Sequence, residues 1–171
     1  MLSSEIFESG YEVSGSSEVA KRENNDCMVR AVANSFGVNY EQAHTFVSDK
    51  FDRKKGKGTK FAISTMKTLS KEPIEFQAEG QLNLFEQNSK TINVKHIGDS
   101  PKRGGKLVNK SYKHKPVAFT VKTFLQNFKK GKYLVMVNKH AFAVNNGVLV
   151  DNPGMRFNGY RRTIESAFQI K

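Results

Sequence analysis

The chain has 171 residues, the length of one domain, and is 37% apolar with 13 Phe, which supplies a core and excludes wholesale disorder. A single Cys excludes an intrachain disulfide scaffold and a multi-Cys metal site, and points to a reduced compartment. The 28 Lys and Arg against 16 acids give a net charge of +12, a balance that first suggests nucleic-acid binding.

The charge is unevenly spread. Residues 1–26 hold six acids (Glu5, Glu8, Glu12, Glu18, Glu23, Asp26) and two bases, whereas residues 100–150 hold 11 bases and no acid. Residues 1–20, rich in Ser, Glu and Gly, read as a loosely ordered acidic arm with one strand near Ile6 to Val13. Residues 21–171 read as a single domain. The arm has no apolar signal core, so a secretory leader is not expected and a cytoplasmic location is. Asp26 is placed as the N-cap of a helix over Cys27 to Phe36. Met28, Ala31, Val32 and Phe36 fall at helical spacing, and Gly37 is its stop. Arg30 reads as an ion-pair or capping residue and Ala31 as a close-packing position.

A second helix follows Asn39, with Tyr40, Ala43, Phe46 and Val47 on one face. His44 is placed on its surface. The basic run Arg53 to Lys60 reads as a loop. It lacks the spacing of a phosphate-binding loop and no strand leads into it, so nucleotide binding is not expected. Thr59 is placed as the cap of a third helix, with Phe61, Ile63, Met66 and Leu69 apolar. Pro73 opens an extended piece, Ile74 to Gln77. Thr91 to Ile97 alternates like a strand, Ser100 to His114 is a basic loop, and Val121 to Phe128 is a short helix.

The last third is the most legible. Gly131-Lys132 forms a turn before the strand Tyr133 to Val137, an apolar run too short to cross a bilayer. Ala141 to Val144 and Val148 to Val150 flank Asn145-Asn146-Gly147, residues that accept the positive φ a hairpin turn needs. Helices first and an antiparallel meander after make an α+β pattern.

Cys27 opens its helix, where unpaired N–H groups and a partial positive charge favour the thiolate. A single Cys is more commonly a small packed hydrophobe. His140 starts a strand. With the turn centred on Asn146, Asp151 falls opposite His140 on the returning strand, within side-chain reach. Asp151 is also the only acid between residues 100 and 164. A carboxylate there holds the tautomer and orientation of the imidazole. His44, His96 and His114 show no metal-ligand spacing, and neither a metal nor another cofactor is expected.

The segment Asn25-Asp26-Cys27-Met28-Val29-Arg30-Ala31 resembles the cysteine box of papain-like thiol hydrolases. It is similar to the Asp-Cys box of bacteriocin-processing peptidases, and to ovarian-tumour-type deubiquitinases, where two apolar residues and Arg-Ala follow the Cys. The segment from Lys139-His140-Ala141-Phe142-Ala143-Val144 to Val148-Leu149-Val150-Asp151 resembles the histidine and acid strands of that superfamily, most of all in small phage and bacterial proteins. The matching stretches are residues 24–47 and 131–152. The resemblance implies a papain-like α+β fold, N-terminal helices packed on a C-terminal antiparallel sheet. It implies cleavage of a peptide or isopeptide bond, with Cys27 as nucleophile, His140 as base and then acid, and Asp151 orienting His140. Papain relatives place a Gln several residues before the Cys for the oxyanion. Here Lys21 stands six residues before it and no Gln is near. Asn24 and Asn25 are the substitutes, together with the Cys27 backbone N–H.

Deamidase and transferase chemistry share the same three residues. Two other classes stay open: an inactive papain-like protein, such as a virion component or a blocker of a host factor, and a basic nucleic-acid-associated protein. The second would use residues 100–140, where Tyr112 and Phe119 interleave with bases. The expected partner is a protein or peptide substrate, an acidic one by charge, and no membrane.

Overall fold

β1 (Phe7–Ser9) and α1 (Glu18–Lys21) come from the segment expected to be loose, and both are built into the fold. Ser17 caps α1 by accepting from the Ala20 N–H. The structure, a computed structural model, describes residues 6–10, 17–76, 89–110, 115 and 117–171. The rest of the acidic arm, the far end of the strand expected near Val13, and Gln77, Tyr112 and His114 lie outside the described residues.

α2 (Cys27–Phe36) buries Met28, Val29, Ala31, Val32 and Phe36 and stops at Gly37, whose φ of 66° favours a residue without Cβ. Asp26 precedes it without capping it through the side chain. Its carboxylate instead accepts from Tyr40 Oη at 2.7 Å and pairs with Arg30 Nε at 2.9 Å. α3 (Tyr40–Lys50) opens on a capping box between Asn39 and Gln42. α4 (Ala62–Leu69) follows Phe61 directly. Thr59 lies two residues too early to cap it, and its hydroxyl is buried with no hydrogen-bond partner.

β2 (Ile74–Phe76) pairs antiparallel with β3 (Lys90–Ile92), and β4 (Val94–Asp99) follows. The strand expected over Thr91 to Ile97 is therefore two strands. They break at Asn93, which exchanges two backbone hydrogen bonds with Lys171. The basic loop contains a 3-10 turn at Pro101–Arg103, and its β5 (Val108–Asn109) pairs with β6 (Val117–Ala118). α5 (Val121–Asn127) starts on a capping box at Thr120. β7 (Lys132–Val137), β8 (His140–Asn145), β9 (Val148–Asp151), α6 (Pro153–Asn158) and β10 (Ile164–Ile170) complete the chain.

The main sheet has six strands in the order β1-β9-β8-β7-β10-β4, antiparallel except for the parallel pair β1–β9. With six α-helices among the described residues, the fold is α+β. β7 shows how the sheet is covered. Leu134 and Met136 face the core shared with α2, α3 and α4, while Tyr133, Val135 and Val137 face the core shared with α5. A strand covered on both faces reads as the continuous apolar run seen in the sequence. α2 packs across β8, β7 and β9, so its first residue ends beside the start of β8.

Candidate active site

The hairpin sets the first contact. Asn146 (φ 51°) and Gly147 (φ 79°) form a two-residue turn between Asn145 and Val148, which pair with each other. Extending that register places Phe142 opposite Asp151 and sets His140 two positions along, on the diagonal. The direct pairing expected from the sequence is thus corrected by two residues. Because strand side chains alternate with period two, a diagonal neighbour stands on the same face, and the contact is made. His140 Nε2 lies 2.7 Å from Asp151 Oδ2. Asp151 Oδ1 accepts from the Asn152 N–H at 2.7 Å, so both carboxylate oxygens are engaged.

The packing of α2 sets the second contact. The Cys27 thiol lies beside the His140 imidazole and the Ala141 N–H, close enough for both to act on its titration. Since Asp151 holds Nε2, the ring nitrogen left for the thiol is Nδ1. Burial tends to raise the Cys27 thiol, but the hydrogen bond and charge of His140 outweigh it and hold the thiol below its usual value. Burial tends to lower His140, yet its bonds to Asp151 and Cys27 push it up to about 9. Burial raises the Asp151 carboxyl, opposed by its bond to His140. Both shifts run toward the thiolate–imidazolium form of the pair.

The three residues line a cavity of about 660 Å³. Asn25 lines it too, with a φ of 53° that Asn tolerates, and its Nδ2 donates to the Gly56 carbonyl at 3.1 Å. Asn24 is exposed and does not reach the cavity. Its backbone carbonyl accepts from Arg53 Nη2. The loop before Cys27 is anchored by a residue the sequence did not single out. Glu23, with a nearly inaccessible side chain, accepts from Arg53 Nη2 at 2.9 Å and from the Gly56 N–H at 3.2 Å, and meets His44 Nε2 at 2.8 Å. Burial alone would raise its carboxyl, but these partners hold it down to about 2. His44 is accordingly a partner of Glu23 rather than a plain surface residue. Gly10 was also missed. Its N–H donates to the Asp151 carbonyl at 2.9 Å, and a Cβ there would stand 2.9 Å from Asn34 Nδ2.

A second cluster joins His96, Asp99, Ser166 and Lys67. It does not have the same chemistry. Asp99 and Ser166 both face His96 Nε2, whereas proton relay through an imidazole needs both ring nitrogens. Ser166 is also fully buried. The cluster ties β4, β10 and α4 together. Among the described residues no group of three or more His, Cys, Asp or Glu is placed to hold a metal ion. No helix among them is long and apolar enough to cross a membrane. No protein-family model, curated protein or solved structure matches the chain.

Proposed function

We propose that the chain is a papain-like thiol hydrolase that cleaves a peptide or isopeptide bond through Cys27, His140 and Asp151. One observation carries the reading: thiol, imidazole and carboxylate line one cavity large enough for a peptide segment, with the imidazole beside the thiol and bonded to the carboxylate. The Cys27 thiolate attacks the carbonyl carbon. The new oxyanion lies near the helix N-terminus, where the Cys27 N–H has no intrahelical partner. Asn25 Nδ2 spends one hydrogen on Gly56 and keeps a second, so Asn25 is the proposed second donor. As the C–N bond breaks, the His140 imidazolium gives its proton to the leaving amine. Water then attacks the thioester and passes a proton to His140, and the thiolate departs. Asp151 holds the imidazole throughout.

The test is hydrolysis of unstructured peptides, read by mass spectrometry. Cleavage that disappears both in Cys27→Ala and after alkylation of the native protein supports the proposal. Peptides that stay intact across a broad sequence library, or a Cys27→Ala variant as active as the native chain, would overturn it.

A further inference from the structure

Phe61 has three features that a merely structural residue would not combine. It is 81% exposed, far more than Val19 and Val117, the other exposed large hydrophobics among the described residues. It has left-handed backbone geometry, φ 52° and ψ 30°, which is rare for a bulky side chain. It also occupies the N-cap of α4, where Ser, Thr, Asp or Asn would bond the helix N–H groups and Phe does not. Phe61 lines the rim of the cavity that holds Cys27, with Ala62, Ile63 and Met136 also in the lining.

The position of the ring is tied to the nucleophile. The loop leading to Phe61 is held at Arg53 and Gly56 by Glu23, and at Gly56 again by the amide of Asn25. Glu23 and Asn25 are four and two residues before Cys27. The same bonds therefore place the aromatic rim and the thiol relative to one another. An exposed ring held in unfavourable geometry at the mouth of a cleft is an apolar contact lacking its partner. We propose that Phe61 is the outer wall of a subsite for a large apolar side chain of the peptide beside the bond that Cys27 attacks. This deepens the hydrolase reading and rests on it.

Two electrophiles separate the subsite from the chemistry: N-methyl chloroacetamide and N-phenethyl chloroacetamide, reacted with the full chain and followed at Cys27 by mass spectrometry. The phenethyl-to-methyl rate ratio reports the subsite, and the absolute methyl rate reports the thiolate. The expected ratio is about tenfold above that of glutathione, the size of discrimination an apolar pocket gives. Phe61→Leu retains most of it. Phe61→Asn, which accepts the left-handed backbone and removes the ring, returns the ratio to the glutathione value. A native ratio equal to that of glutathione, or a ratio unchanged in Phe61→Asn, overturns the subsite. A methyl rate no faster than that of glutathione counts against the thiolate, while the ratio still judges Phe61. If Phe61→Asn converts a dimer to a monomer in sedimentation and leaves the ratio intact, the ring belongs to a contact between copies, and the proposal falls.

Discussion

The chemistry of Cys27 comes from three opposed forces. Burial favours the neutral thiol, whereas the imidazolium beside it and the Ala141 N–H favour the thiolate. Removing His140 leaves burial in charge. In His140→Ala the thiol is expected to titrate above its ordinary value, and iodoacetamide labelling at pH 7 to slow by about 10- to 100-fold. Labelling rates measured from pH 5 to 10 check this, and a rate unaffected by the substitution would count against the pairing. The signs also bear on stability. His140, raised to about 9, contributes stability in full below its unfolded value of 6.5 and loses it as the pH rises through about 9. The lowered Cys27 works in the opposite sense, in full above 9.0 and lost as the pH falls through its lowered value.

α2 and the loop leading to α4 depend on one another through Glu23. Its folded carboxyl sits near 2 against an ordinary 4.5. The stability it contributes is present above about 4.5 and is lost as the pH falls through about 2, and it amounts to about 3 kcal/mol. Glu23→Gln is expected to lower the unfolding free energy at pH 7 by about that much, because Arg53 is left charged in a buried position. Urea denaturation at pH 7 and near pH 2 checks it. The difference between the two proteins should shrink toward zero at the lower pH. The helices themselves were readable from local pattern: α2 with Gly37, α3 after Asn39, and α5. Their caps were read less well, because a cap is a contact rather than a residue type. Asp26 is committed to Tyr40 and Arg30, and the cap expected at Thr59 falls at Phe61 instead. β10 went unread because two register shifts, at Ile164/Ser166 and at Ala167/Phe168, break the alternation that marks a strand.

Across the protein as a unit, the cavity lining is balanced in charge, with Arg30, Arg103 and Lys139 against Asp26, Asp151 and Glu165, and bases outnumber acids only toward an adjoining hollow. Arg103 and Lys139 line the cavity, and Arg103 also lines an adjoining hollow of about 330 Å³ with Lys102 and Arg162. Under the proposed hydrolase reading, a preference for acidic substrates would act through Lys102, Arg103 and Arg162. Raising salt from about 50 to about 300 mM should lower kcat/KM for a Glu-rich peptide several-fold and leave that of an uncharged peptide nearly constant. Equal salt dependence for both peptides would detach the charge from substrate selection. Steeply salt-sensitive binding of DNA or RNA, without peptide cleavage, would shift the reading to nucleic acid.

The amino-acid order was enough to pick out Cys27, His140 and Asp151 as candidates, and to place helices before an antiparallel meander. These features are local. A helix start, a two-residue turn and a period-two face are each written within about a dozen neighbouring residues. Even so, the match of His140 to Asp151 survived a misjudged register only because a diagonal neighbour shares its face. The meeting of Cys27 with His140, the Glu23–Arg53 anchor and the place of Phe61 at the cavity rim join residues far apart in the chain. No local pattern specifies such contacts. They exist only once α2 has packed across the sheet, because each needs residues that the chain itself holds far apart.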